Sequence, residues 1–173
     1  RVTTKNPLPF GDSFAIKEIV LRGAGEQLTP LLRYSIEAQS AEPGLYPDSL
    51  RKKQVYWTVL GLPRGQEESL LDEYGNLEVR TRAPQIMPYI QDSHDGLLSS
   101  HQAQAVQQTL AQDYLPIPKV LWELDKYSFE VEAFSKRIKD EDVTLAKYTL
   151  INTSDAAQSG SIHLTIRPVQ INP

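Results

Sequence analysis

The sequence contains no cysteine, which excludes disulfides, cysteine-based zinc and iron–sulfur centres, and a thiol nucleophile. It contains no apolar run of about 20 residues, so no segment is expected to span a bilayer and no membrane partner is expected. Positive charge is not in excess, because 18 Lys and Arg face 22 Asp and Glu, a net charge of −4. Nucleic acid is therefore not an expected partner of this chain.

The length of 173 residues and an apolar content of 40% fit one globular domain, so residues 1–173 are expected to form a single unit. The chain begins at Arg1 rather than Met and ends at Pro173, directly after an expected strand. We therefore expect a fragment of a longer polypeptide. No signal peptide is visible, and the expected compartment is either the cytoplasm or the periplasm.

Proline is frequent, and its 12 copies are spread from Pro7 to Pro173. Because proline is excluded from helix interiors and central strands, these residues divide the chain into short elements. Short elements rich in β-branched and aromatic residues are typical of a sandwich or barrel. The predicted fold is mainly all-β, an antiparallel β-sandwich with at most one short helix.

Alternation of apolar and polar residues predicts the individual strands. Residues 28–38 stay ambiguous between strand and helix, and residues 66–82 predict a hairpin that turns near Gly75. A second hairpin is predicted to turn at Asp125-Lys126. The expected strands are 12–22 (bulged, in preference to a short helix), 54–62, 120–124, 129–133, 143–151 and 161–167.

Residues 99–113 form the best helix candidate in the sequence. Ser99 or Ser100 would cap its start, and the Gln and Ala content favours a helix by propensity. A strand over residues 106–110 is the alternative.

Two segments carry a family resemblance, residues 50–79 and residues 109–124 together with 143–173. The most specific sequence motifs of this resemblance are Tyr56-Trp57-Thr58-Val59, Tyr114-Leu115-Pro116-Ile117-Pro118 and Arg167-Pro168-Val169-Gln170-Ile171-Asn172-Pro173. Together they resemble the β-sandwich region of large bacterial proteins with a downstream six-hairpin (α/α-toroid) glycosidase-like domain. Some of these proteins are labelled discoidin-type domain proteins.

The resemblance implies a galactose-mutarotase-like supersandwich, in which residues 106–110 form a strand. It also implies that the toroid holds the catalytic carboxylates, so that this chain is not catalytic by itself. The implied partners are the toroid of the same polypeptide and an oligo- or polysaccharide. Candidate contacts to the toroid are Arg51, Lys52, Arg167 and Asn172.

Exposed aromatic side chains are the main candidates for saccharide contact, because sugar C–H groups pack against aromatic ring faces. In residues 55–59 (VYWTV), alternation places Trp57 with the two valines, so we expect Trp57 in the core and Tyr56 in solvent. Trp122 is expected in the core for the same reason. The carbohydrate-contact candidates are Tyr56, Trp57, Tyr114 and His163.

The sequence predicts no catalytic residue, no metal site and no cofactor. The paired carboxylates at 67–68, 72–73 and 140–142 lie in charged segments, so we interpret them as solvated surface rather than a glycosidase pair. His94 and His101 would lie two turns apart in a helix, with Asp92 and Asp95 nearby, but the segment has no i, i+4 histidine pair and no clear further ligand cluster. A Ser–His–Asp triad has no nucleophile-elbow motif to support it.

Three functions remain open. The first is a non-catalytic sandwich module of a glycoside hydrolase-like multidomain protein. The second is a free-standing carbohydrate-binding domain. The third is a mutarotase-like epimerase, in which His94 or His163 would act with a neighbouring acid on a sugar.

Overall fold

Two antiparallel β-sheets face each other across a shared core in the computed structural model, which describes residues 29–172. The predicted all-β sandwich is confirmed, whereas the strand predicted at 12–22 lies outside the described residues. The helix is α1 (Pro30–Ser40), and two 3₁₀ helices span Asp48–Arg51 and Ser100–Gln102. The strands are β1 (Trp57–Leu60), β2 (Ser69–Asp72), β3 (Leu77–Glu78), β4 (Gln85–Asp92), β5 (Gly96–Leu98), β6 (Ala105–Ala111), β7 (Leu115–Glu123), β8 (Tyr127–Ile138), β9 (Glu141–Asn152) and β10 (Gly160–Arg167).

The first sheet has the strand order β1-β2-β3-β4-β10, with β5 also paired to β4. The second sheet has the order β6-β7-β8-β9. Both predicted hairpins are confirmed: β2 and β3 turn around Gly75, and β7 and β8 turn at Asp125-Lys126. Among residues 29–172, no helix is long and apolar enough to cross a membrane.

Strand β4 has an opening beside it. One of its edges pairs with β10 over residues 85–92, while the other pairs with β3 at 85–86 and with β5 at 90–92. Within the described chain, residues 87–89 thus have no strand partner on that second edge. Pro88 lies at this point, where fewer backbone hydrogen bonds are required of the strand. We call this opening the β4 gap.

Trp122 of β7 lies at the centre of the core, as predicted, and is almost fully buried. Its ring packs against the Phe129 ring of β8, with the ring centroids 4.7 Å apart. Its indole N–H donates a hydrogen bond to the Tyr74 carbonyl at 3.0 Å. From the first sheet, Leu60, Leu71, Leu77 and Ile90 complete the cluster. A buried indole needs such a hydrogen-bond acceptor, and the β2–β3 turn supplies it.

A third layer covers part of the outer face of the first sheet. Ala38 of α1, Leu50 and Val169 pack together there. The ambiguity between strand and helix is resolved as helix from Pro30 onward, because the Thr29 side chain accepts a hydrogen bond from the Leu32 N–H and Pro30 opens the first turn.

The choice between helix and strand that the sequence leaves open over residues 99–113 is resolved mainly as strand. Ser99 does cap a helix, with Gln102 completing a capping box, but that helix is a single 3₁₀ turn. Residues 105–111 then form β6, in which Val106 pairs with Trp122 of β7. Packing against a preformed neighbour outweighs the modest helix propensity of Gln and Ala. The strand implied by the family resemblance at 106–110 is confirmed.

Gly75 is predicted to resist substitution more strongly than Gly96, although both have positive φ angles, 86° and 77°. A Cβ at Gly75 would lie 3.1 Å from Val131 Cγ2, whereas a Cβ at Gly96 would meet nothing within 4 Å. Gly96→Ala should cost about 1–2 kcal/mol from backbone strain alone, and Gly75→Ala about 1 kcal/mol more. Urea unfolding of both variants measures the difference. Equal losses would contradict the crowding at Gly75.

Candidate functional site

A cluster of polar side chains fills the β4 gap. It encloses a cavity of about 10 Å³, which Met87 and Pro88 of β4 and Trp122 of β7 also line. A cavity of this size holds at most about one water molecule. The polar members of the lining are Asp48, Tyr74, Asn76, Ser99, Ser100 and His101.

Asp48 is the buried carboxyl group of this cluster, with 2% of its surface exposed. Its Oδ2 lies 3.2 Å from His101 Nε2 and 3.4 Å from Lys53 Nζ, and its Oδ1 has no hydrogen-bond partner among the described residues. The Tyr74 ring stacks on His101, with the ring centroids 5.2 Å apart. Burial, and after it the Asp48 charge, raises the pKa of Tyr74 to about 12, so its hydroxyl stays protonated at neutral pH.

Ser100, His101 and Asp48 have the connectivity of a hydrolytic relay, because Ser100 Oγ lies 3.3 Å from His101 Nδ1. A relay also needs a space next to the serine in which a substrate carbonyl can sit. Ser100 is buried, and the adjoining cavity has room for at most about one water molecule. The geometry therefore supports a structural role, in which the cluster ties the 3₁₀ helix of Asp48 to that of His101.

Asp72 is a second buried carboxylate, and the interpretation of residues 72–73 as solvated surface is wrong for it. Its Oδ1 accepts the Tyr74 and Asn76 backbone N–H groups at 2.9 and 2.8 Å, and its Oδ2 accepts the Asn76 side-chain N–H at 2.7 Å. Burial nevertheless raises the pKa of Asp72 to about 7 against these hydrogen bonds. The residue holds the β2–β3 turn.

Asp92 is a third buried carboxylate, and its pKa is shifted in the opposite direction to that of Asp72. Its Oδ2 accepts a short hydrogen bond from the Tyr127 hydroxyl, and its Oδ1 accepts the His94 and Asp95 backbone N–H groups. The Tyr127 hydroxyl, followed by these N–H groups, holds the pKa of Asp92 well below its usual range. Asp92 thereby joins the β4–β5 turn to the start of β8.

The two histidines considered as metal ligands lie in different surroundings. His94 is exposed in the β4–β5 turn, while His101 is paired with Asp48. In the described part of the chain, no group of three His, Cys, Asp or Glu side chains is arranged to hold a metal ion. His101 and Asp48 are a converging histidine and acid, but an epimerase would need them around a sugar-sized space that this cavity does not provide.

Of the four carbohydrate-contact candidates, the structure brings only Tyr56 and Trp57 together. They are consecutive in sequence: Tyr56 directly precedes the edge strand β1 and Trp57 begins it, and 61% and 40% of their surfaces are exposed. Tyr114 lies in the β6–β7 turn, where its hydroxyl donates to Gln112. His163 is exposed on β10, at the opposite end of the first sheet, with its Nε2 2.9 Å from Ser161 Oγ.

The expectation that Trp57 belongs to the core is wrong. Thr58 pairs with Leu71, so Thr58 and Leu60 face the core, while Trp57 and Val59 face outward. Val55 is buried but precedes the strand, which begins at Trp57. Alternation applies only within a regular strand, so the side of Val55 does not predict the side of Trp57.

The four candidate contacts to a neighbouring domain are within three residues, in sequence, of Leu50 or Val169, which belong to the third layer. Arg51 is half-buried, and one of its terminal nitrogens is buried without a described hydrogen-bond partner. The guanidinium group of Arg167 lies over the Tyr46 ring, with its Cζ 5.0 Å from the ring centroid. Lys52, in a left-handed conformation, and Asn172 are exposed.

Sequence reasoning missed the cluster in the β4 gap. One local signal was available, because Ser99-x-x-Gln102 is a capping box that fixes the position of His101. Asp48 follows a proline in a segment that reads as a loop, and nothing near it in sequence reveals the partner 53 residues away.

No protein-family model, no curated protein and no solved structure matches this chain.

Proposed function

We propose that this chain is a non-catalytic β-sandwich module of a carbohydrate-processing, glycoside hydrolase-like multidomain protein. In this proposal it contacts saccharide through strand β1 and packs against a downstream α/α-toroid domain. The observation that carries the proposal is the exposed aromatic pair Tyr56–Trp57 at the start of the edge strand β1.

The surroundings of the pair suit a sugar. Val59 shares the outward face with Trp57 and is also exposed, which gives an apolar strip on the strand. Glu73 lies beside it, since its Oε1 accepts the Tyr56 N–H at 3.1 Å and its own N–H donates to the Tyr56 carbonyl at 2.9 Å. Aromatic faces bind the C–H side of a pyranose, and a neighbouring carboxylate accepts hydroxyl hydrogen bonds.

The toroid contact is assigned to the third layer. Arg167 packs over the Tyr46 ring and Arg51 is half-buried, so in this proposal these two side chains make contacts within the chain rather than with the toroid. Lys52 and Asn172 are exposed, and in this proposal they are the residues that meet the neighbouring domain. This divides the four candidates into two internal residues and two contact residues.

The saccharide contact is tested with the double variant Tyr56→Ala/Trp57→Ala. An array of glucan, xylan, mannan, galactan and rhamnogalacturonan oligosaccharides identifies a binding sugar, and titration calorimetry then gives its Kd. Each ring should contribute about 1 kcal/mol, so the double variant should bind about 30-fold more weakly. Tyr114→Ala removes a similarly exposed ring elsewhere and should leave Kd unchanged. Absence of binding to the array, or an equal loss in Tyr114→Ala, would overturn the contact.

The multidomain part of the proposal is tested by the mass of the native protein in its source cells, detected with an antibody against this chain. A mass far above 19.5 kDa supports the module. A mass near 19.5 kDa would overturn it in favour of the free-standing carbohydrate-binding domain, whose β1 contact is tested by the same titrations.

A further inference from the structure

Strand β10 is an edge of the first sheet with part of its apolar face exposed. Ile162, Leu164 and Ile166 alternate along the strand and therefore share one face of the sheet. That face is the core side, because Ile162 pairs with the core residue Ile90. Leu164 and Ile166 are nevertheless 47% and 73% exposed. In the described chain, the edge of β10 away from β4 has no strand partner, so its backbone groups on that side have no ladder to join.

The other edge strands of the described chain carry features that natural sheets use against edge-to-edge pairing. Strand β1 is only four residues long, β6 exposes the polar residues Gln107 and Thr109, and β9 exposes the charged residues Glu141 and Lys147. Strand β10 has eight residues, and residues 161–166 contain no Asp, Glu, Lys or Arg. It is therefore the edge that is best suited to accept another strand.

We propose that β10 pairs with the β10 of a second copy of this chain, in an antiparallel and two-fold symmetric ladder centred on Leu164. In this register Leu164 lies opposite its own copy, and Ile162 of each copy lies opposite Ile166 of the other. Each aliphatic side chain thus meets another on the same face of the joined sheets, which is the pairing that stabilises antiparallel strands.

The sequence of the strand selects this register over its neighbours. Residues opposite each other share a face, so the ladder can shift only by two residues without moving the aliphatic side chains to the wrong side. Moving the centre of symmetry to His163 places Ile166 opposite Gly160, and moving it to Thr165 places Ile162 opposite Pro168. Only the centre at Leu164 gives all three aliphatic residues an aliphatic partner.

The other face of the proposed ladder brings no like charges together. His163 of each copy lies opposite Thr165 of the other, and Arg167 lies opposite Ser161 rather than its own copy. The guanidinium group of Arg167 also remains over the Tyr46 ring of its own chain. The charges of β10 are therefore compatible with two-fold pairing.

The size of the contact sets its expected strength. Eight residues from each copy are fewer than the roughly 20–30 residues a side of a standard stable interface. We therefore expect a weak dimer with a Kd of about 10–100 µM. The inference does not rest on the proposed function, because β10 and β1 lie at opposite ends of the first sheet.

Sedimentation equilibrium of the full chain between about 1 and 300 µM tests the dimer. The mass should rise from near 19.5 kDa towards twice that value as the concentration increases. Ile166→Lys should raise the Kd at least tenfold, because a charge on the apolar face of an edge opposes pairing. Ile151→Lys is the matched control and should leave the Kd unchanged, since Ile151 is also exposed and lies on β9, an edge of the second sheet. A mass near 19.5 kDa at every concentration, or an equal effect of the two lysines, would overturn the proposal.

Cysteine cross-linking tests the register, and the chain has no native cysteine to interfere. Opposite residues of an antiparallel ladder have Cα atoms about 4.5–5.5 Å apart, which a disulfide can bridge. Leu164→Cys should therefore form a disulfide-linked dimer on mild oxidation, with about tenfold higher yield than Thr165→Cys, which faces His163 of the other copy. Equal yields from the two variants, or a higher yield from Thr165→Cys, would overturn the ladder centred on Leu164.

Discussion

The variant Asp72→Asn should lose most of the pH dependence of stability that the unmodified chain shows between about pH 4 and pH 7. Burial raises the pKa of Asp72 from 3.8 to about 7. A raised folded-state pKa means that the folded protein holds the proton more tightly than the unfolded chain does. The contribution to stability is therefore complete below about pH 4 and is lost as the pH rises through 7.

The size of this pH dependence follows from the shift in the pKa of Asp72, which corresponds to a change of about 4 kcal/mol at most in the free energy of unfolding. Asparagine keeps an oxygen for the Tyr74 and Asn76 backbone N–H groups and has no ionisation to suppress. Urea unfolding at pH 4, 5, 6 and 7 should show a falling free energy of unfolding for the unmodified chain and a flatter profile for the variant.

Asp92 provides the internal control for this experiment. Its pKa is depressed, so its contribution is present above about pH 4 and is lost as the pH falls below that value. The two carboxylates thus act in separate pH ranges. If Asp72→Asn changed the profile only below pH 4, or if the unmodified chain became more stable from pH 4 to 7, the protonated state assigned to Asp72 would be wrong.

The variant Trp122→Ala should lose about 3–5 kcal/mol of stability, the largest loss expected from a single substitution in this chain. The substitution empties the centre of the core, removes the contact with Phe129 and leaves the Tyr74 carbonyl without its donor. Urea unfolding measures the loss. The stability of Trp122→Phe should lie between that of the unmodified chain and that of Trp122→Ala, because phenylalanine keeps an aromatic ring but not the N–H.

Trp57 is the matched control, because these two are the only tryptophans of the sequence. Its outward position predicts that Trp57→Ala costs less than about 1 kcal/mol. Equal losses for the two alanine variants would contradict the assignment of Trp57 to the surface, and with it the aromatic strip on β1.

Prediction from sequence succeeded where structure is local. The β7–β8 hairpin follows from alternation on both sides of Asp125-Lys126, because each strand finds its partner across a short turn. The sandwich class and the central position of Trp122 could be predicted for the same reason.

Prediction failed where partners are distant in sequence. Residues 105–111 form a strand because they pair with β7. Their own secondary-structure propensity does not reveal that pairing. Asp72 looks like half of a charged pair, and only the folded chain shows that it is enclosed. The clustering of Asp48 with His101 likewise depends on two loops meeting at the β4 gap.

The strand order has a consequence for how the chain folds as it is synthesised. Strands β6 to β9 are consecutive hairpins, so the second sheet can form from neighbouring segments as soon as they emerge. The first sheet cannot, because residues 160–167 complete the far edge of β4, and the Ile171 N–H bonds to a Glu78 carboxylate 93 residues earlier. Contacts of such long range form slowly. β4 therefore acquires its longest partner only after residues 160–167 have emerged from the ribosome, and until then its edge is open to chaperones and to aggregation.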